Sequence, residues 1–161
     1  MSTVDAKLPT APALDGPPPH ILVIRAPYYT GIVDGLRDGA LRILAEAGCR
    51  VDVLDVAGAL ELASAIRLAV AGRHTAFHGY IALGCVVKGE TDHYEHVCRE
   101  AMSGLTQVAL THALCVGNGL LTVATEAQAI ARSSADGHNK GAEAAAACLL
   151  QIRAARWLGH G

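Results

Sequence analysis

Short apolar runs alternate with stretches of helical spacing along this chain, and that alternation limits the folds open to it. Residues 20–25, 50–56, 77–84 and 107–116 read as strands, the last ending at Gly117-Asn118-Gly119. Between the first two, Ile32, Leu36, Leu41 and Leu44 recur at helical spacing as far as Gly48. Residues 60–71 form an Ala-rich helix closed by Gly72, and residues 91–105 a third helix. Residues 125–133 make a short helix and residues 142–157 the longest one, with Leu149, Ile152, Ala155 and Trp157 supplying apolar surface. Strands that are mostly continuous in apolar character belong in a parallel sheet covered on both faces and joined by right-handed crossovers. The expected fold is therefore α/β: a three-layer α/β/α sandwich around a four-stranded parallel sheet.

A chain of 161 residues, 52% hydrophobic and 17% charged, has the size and make-up of one globular domain. Residues 1–19 carry Pro9, Pro12, Pro17, Pro18 and Pro19 among small polar residues and read as a flexible N-terminal arm, leaving 20–161 as the domain. A net charge of -2 and only four Tyr, one Phe and one Trp argue against nucleic acid as a partner. No apolar run reaches the roughly 18 residues of a membrane span, and the N-terminus lacks a signal-peptide pattern, so no membrane partner and a cytoplasmic location are expected. Cys49, Cys85, Cys98, Cys115 and Cys148 form no CxxC pair and read as reduced, buried thiols. Much apolar content in Ala, Leu and Val points to helix faces buried against copies of the chain.

In parallel sheets ligands sit beyond the carboxyl ends of the strands, and loops 26–31, 57–61, 85–93 and 117–120 qualify for one shared pocket. Loop 85–93 carries the most chemistry. The apolar run 81–87 breaks at Gly89, Thr91 or Asp92 stands where a helix N-cap belongs, and His93 follows on the first turn. Exposed amides and a hydroxyl at a helix start suit an anion, and a histidine beside them suits proton transfer; plain capping and a surface histidine fit the same spacing. Neither GxxxxGK[ST] nor GxGxxG is present. His93-Tyr94-Glu95-His96 places two imidazoles on one helix face, but without HExxH a metal site would need ligands from far along the chain, and none is expected. His74 and His78 flank a break between helix and strand, so their spacing carries little. Arg132 and Lys140 are either phosphate clamps or solvated charges. Tyr28 is either a stacking platform or a subunit contact, and Glu61 a helix-dipole partner or a ligand for hydroxyls.

The segment Gly84-Cys85-Val86-Val87-Lys88-Gly89-Glu90-Thr91-Asp92-His93-Tyr94-Glu95-His96-Val97 resembles the G-T-V-I-R-G-x-T-x-H-[FY]-[DE]-x-V motif of the 6,7-dimethyl-8-ribityllumazine synthases. Three further segments agree with that family in order and spacing. They are Val56-Ala57-Gly58-Ala59-Leu60-Glu61-Leu62, Gly119-Leu120-Leu121-Thr122-Val123, and Gln128-Ala129-Ile130-Ala131-Arg132 followed by Asn139-Lys140-Gly141. The likeness covers roughly residues 20–158 and implies a flavodoxin-like sandwich. It also implies a transferase of riboflavin biosynthesis that joins 5-amino-6-(D-ribitylamino)uracil to 3,4-dihydroxy-2-butanone 4-phosphate with release of phosphate and water. No cofactor is implied.

By the same resemblance His93 is the general acid/base, and Gly89, Glu90 and Thr91 hold the phosphate with Arg132 and Lys140. Tyr28 stacks on the pyrimidine, Ala59, Leu60 and Glu61 line the ribityl chain, and Cys85, Val86 and Val87 meet the ring through their backbone. Asn118 reaches in from a neighbouring subunit, which requires at least a pentameric ring. The sequence departs from the family in Tyr28 and Asn118, which replace aromatics, in Lys88 for Arg, and in Ala57 and Ala63, which replace prolines. Those changes weaken the aromatic sandwich and loosen the second loop. The loop 133–140 is no shorter than in shell-forming members, but Pro17-Pro18-Pro19 opposes an added edge strand, so a pentamer or dimer of pentamers is expected. The alternative is a flavin- or lumazine-binding or storage protein with poor turnover. A flavodoxin-like electron carrier fits less well, because residues 26–31 supply little of a Ser/Thr-rich phosphate loop.

Overall fold

The computed structural model describes residues 9–72, 76–135 and 138–160. Strands β1 (His20–Ala26), β2 (Arg50–Asp55), β3 (Gly79–Val87) and β4 (Val116–Val123) form one sheet in the order β2-β1-β3-β4, parallel at every pairing. Helices α1 (Thr30–Glu46), α2 (Glu61–Ala71) and α3 (His93–Thr111) connect the strands, and α4 (Glu126–Ser133) and α5 (Lys140–Trp157) follow β4. This is the expected α/β, flavodoxin-like sandwich. The expected flexible arm lies partly outside the described residues, at 1–8. Residues 9–19 form neither helix nor strand, but Ala11 and Leu14 lie on the core, and Arg156 donates to the carbonyls of Asp15 and, at 2.7 Å, of Pro17.

Both faces of the interior strands are covered, so successive residues alternate between two cores rather than between core and water. Ile21, Val23, Ile81 and Leu83 pack with Leu36 and Ile43 of α1 and Leu149 and Ile152 of α5. Leu22, Ile24 and Ala82 face Leu62 and Ile66 of α2 and Ala101 and Leu105 of α3. Each fully buried Leu or Ile contributes roughly 1.5–3 kcal/mol. Close approach of α5 to the sheet rests on glycine: a Cβ on Gly117 would run into the Ala144 carbonyl.

The fourth strand is not where its apolar run suggests. Residues 107–111 continue α3, because Ala101, Leu105 and Val108 hold one buried helical stripe. The chain turns at Ala113, whose φ of 50° is in the left-handed region, and β4 begins only at Val116. Gly117, Asn118 and Gly119 therefore lie inside β4, not in a loop beyond it, and 117–120 is not one of the pocket loops.

The caps differ as well. Helix α3 starts after Asp92 with no side-chain cap, so neither Thr91 nor Asp92 does what its residue type suggests. Thr125 Oγ1 accepts from Gln128 N at 3.3 Å to start α4, and Asn139 Oδ1 accepts from Gly141 N and Ala142 N to start α5. All five thiols are free, but only Cys85 and Cys148 are buried; Cys49, Cys98 and Cys115 are half-buried.

Candidate active site

The carboxyl ends of β1, β2 and β3 present three of the expected segments. β1 runs into a single 3-10 turn, Pro27–Tyr29, which pushes Tyr28 outward until it is 79% exposed, edge-on to Tyr29 at 5.2 Å between ring centres. After β2, residues 56–60 lead to Glu61 at the first position of α2, its carboxylate lying over Gly58. Ala59 is half-buried, and Leu60 and Glu61 are exposed. At the end of β3, Cys85 is buried and Val86 and Val87 are half-buried, so their side chains serve the core and the backbone is what they offer a ligand.

Lys88 N donates to Val123 O at 2.9 Å and ties the following turn to β4. Gly89, Glu90 and Thr91 then follow the end of β3, all exposed, and His93 opens α3, also exposed. An uncapped helix start leaves amide hydrogens free for an anion, and a Cβ on Gly89 would meet nothing within 4 Å. The same stretch carries Glu90, Asp92 and Glu95 against Lys88 alone, so an anion held there needs positive charge from elsewhere.

That charge lies along the free edge of β4. A cavity of about 380 Å³ is lined by Asn118, Thr122, Arg132, Lys140, Glu143 and Ala147, among others. Asn118 donates from Nδ2 to Met102 Sδ at 3.1 Å and accepts on Oδ1 from Leu120 N at 3.0 Å. Arg132, in the last turn of α4, donates to Gln128 O at 2.9 Å. Lys140 Nζ donates to both carboxylate oxygens of Glu143, at 2.7 and 2.6 Å. Gly89, Glu90, Thr91 and His93 do not line this cavity. The site residues thus fall into two groups, one at the strand ends and one on the β4 edge.

Other chemistry is narrowed by the surroundings. Burial, with Glu126 nearby, pushes the Cys85 thiol up to about 11, so it stays a neutral thiol near pH 7. Among the described residues no three His, Cys, Asp or Glu side chains are placed to share a metal ion. His74 lies outside the described residues; His78 Nδ1 accepts from His20 N at 3.0 Å. Among the described residues no helix is long and apolar enough to cross a membrane.

A glycine turn, a histidine at a helix start and a separate cationic edge are features that a comparison with known proteins can name. The family model described as 6,7-dimethyl-8-ribityllumazine synthase matches residues 18–156. The chain belongs to that family. A relative so named from Beijerinckia indica is 44% identical over 141 residues, covering 88% of this chain and 78% of its own. One from Paramagnetospirillum magneticum is 40% identical, covering 86% and 96%, and one from Azorhizobium caulinodans is 44% identical, covering 85% and 86%. All three carry the name of a synthase, which does not favour the binding-or-storage alternative.

Within this lumazine synthase fold the motif residues leave some structure unexplained. Glu143, which holds Lys140, lies outside every motif segment, and Thr122, which lines the same cavity, lies within one but carries no role there. Arg25 was not singled out either, although a guanidinium in an apolar strand requires carboxylates, and Asp34 and Asp55 supply them. That charge in β1 was the signal available.

Proposed function

We propose that the chain is a working lumazine synthase whose active site is assembled between subunits. The reaction condenses 5-amino-6-(D-ribitylamino)uracil with 3,4-dihydroxy-2-butanone 4-phosphate. The 5-amino group attacks the ketone and water leaves as the imine forms; phosphate is then eliminated as a carbon-bound proton is lost. Elimination leaves an enol at the carbon that bore the hydroxyl; it takes up a proton on its terminal carbon to become a ketone, and the ribitylamino nitrogen closes on that ketone with loss of a second water. No protein nucleophile is needed, because the substrate amine is one. The protein orients two molecules, neutralises the departing phosphate and moves protons.

Tyr28, Ala59, Leu60, Glu61 and the backbone of Cys85, Val86 and Val87 receive the ribitylaminouracil. Gly89, Glu90 and Thr91 cradle the phosphate, and His93, two residues past Thr91, shuttles the proton. Asn118, Arg132 and Lys140 are brought to that turn by a neighbouring copy, most simply in a pentamer or a dimer of pentamers. The observation that carries this reading is the exposed Gly89–Thr91 turn with His93 behind it, short of positive charge, in a chain whose Arg132 and Lys140 line a different cavity. Exposed Tyr28, Leu68, Leu110 and Trp157 give a ring of copies apolar surface to cover. A cytoplasmic enzyme is in keeping with five free thiols.

A steady-state assay with both substrates tests the activity. Fluorescent lumazine should appear with one phosphate released per turnover. A protein that binds the lumazine or riboflavin tightly yet shows negligible turnover would be a carrier, and the proposal would fall.

A further inference from the structure

We infer that Arg25 is a positioning residue for the pyrimidine pocket: clasping Asp55 and Asp34, it sets the separation between the turn bearing Tyr28 and the loop bearing Ala59, Leu60 and Glu61. The inference rests on the reading above that those residues hold the ribitylaminouracil.

Arg25 is the next-to-last residue of β1, and Asp55, its register partner, is the last of β2. The Tyr28 turn begins two residues after Arg25, and the Ala59 loop begins directly after Asp55. The guanidinium makes a bidentate pair with Asp55, Nε to Oδ1 and Nη2 to Oδ2, each at 2.7 Å. Its third arm, Nη1, donates to Asp34 Oδ1 at 2.8 Å. Asp34 belongs to α1, the helix that leaves the Tyr28 turn, and the same oxygen accepts from Arg37 at 2.8 Å. Only 12% of the Arg25 side chain is exposed. One planar group therefore joins the exits of two strands and the start of a helix.

Ion pairs of this depth are poor sources of stability next to apolar packing, but a three-armed fork fixes direction as few contacts do. β2 is an edge strand joined to the sheet only through β1, so its exit has few other constraints: Val56 N to Arg25 O at 2.8 Å is one. Tyr28 itself is too exposed to be located by packing. Release of the clasp lets the two segments drift apart while the cores on either face of the sheet stay filled.

The test uses the full-length protein and the kinetics of Arg25→Leu, Arg25→Lys, Asp55→Asn and the Arg25→Leu/Asp55→Asn double variant. Each single variant should raise KM for the ribitylaminouracil about tenfold, with kcat within about twofold and KM for the butanone phosphate unchanged. Lysine should not rescue, having no fork, and the double variant should be no worse than either single one. An unchanged KM in the four variants, or a loss confined to melting temperature and kcat, overturns the positioning role. So do additive effects in the double variant. If the unaltered protein forms no lumazine, it is the activity reading that fails, a different outcome from an active protein whose Arg25 variants keep their KM.

Discussion

Lys140 Nζ sits 2.6 Å from Glu143 Oε2, so one of the two cations on the β4 edge is already met within its own helix. Among the described residues Arg132 has only the Gln128 carbonyl as partner, on Nη1, which makes it the freer charge for a phosphate. Replacing Glu143 by Gln should release the ammonium and lower the inhibition constant of inorganic phosphate by about twofold to fivefold. It should also cost α5 about 0.3–1 kcal/mol, since Glu143 is the acidic residue of its first turn. Phosphate inhibition that is unchanged would mean that Lys140 does not face the anion.

Asn139 ties three helices with one amide. Its Oδ1 caps α5 through Gly141 N at 2.9 Å and Ala142 N at 3.1 Å, and its Nδ2 donates to Gly35 O, Ser133 O and Ser134 O at 2.9, 2.8 and 3.3 Å. The residue is 4% exposed. Asn139→Ala removes a cap and orphans buried groups, at a cost of about 2–4 kcal/mol. Asn139→Asp keeps the cap but turns a carboxylate on three carbonyls, and should also destabilise. Urea unfolding of both variants measures this; an Asp variant as stable as the native protein would reduce Asn139 to a cap.

His93→Ala should slow lumazine formation by about 10²–10⁴-fold and leave the mass of the assembly alone, because the residue is exposed at the start of α3 and supports no core. Turnover is read by fluorescence and mass by light scattering. An unaltered rate would take His93 out of the mechanism.

Burial pushes the Cys148 thiol up to about 12 and the Cys85 thiol, with Glu126 nearby, up to about 11, from an ordinary 9.0. Both folded values lie above the unfolded one. The stability from keeping these thiols neutral is therefore whole below about pH 9 and drains away as pH rises from there through about 11 to 12. The buried phenol of Tyr80 is shifted upward by the same cause and adds to the loss. A urea midpoint steady from about pH 7 to 8.5 and clearly lower by about pH 10.5 is expected. A flat profile would contradict it.

The sheet was legible because β1 and β3 are apolar on both faces, and only burial in a parallel sheet suits such runs. The position of β4 was not, and the reason is local. Val108, Ala109 and Leu110 suit a strand as well as a helix, and what decides between them is a buried stripe from Ala101 onward that shows only once α3 is packed. Ala113 then ends the helix in a backbone state that alanine does not advertise, and Gly117 and Gly119 look like a loop although they make room for α5. In the site, His93 and the Gly89 turn were readable from a run of neighbours in sequence. The Arg25 clasp and the Asn139 knot were not, since their partners lie up to 30 and 104 residues away.

Subunit complementation tests the shared site most directly. His93→Ala and Arg132→Ala proteins, each expected to be nearly inactive alone, are unfolded together in equal amounts and reassembled. If His93 of one chain works with Arg132 of its neighbour, random mixing leaves about a quarter of the sites with both native residues, and lumazine formation should return to about that fraction. If both residues act within a single chain, no mixed site is whole and the mixture stays as inactive as its components; that result would contradict a site built between subunits.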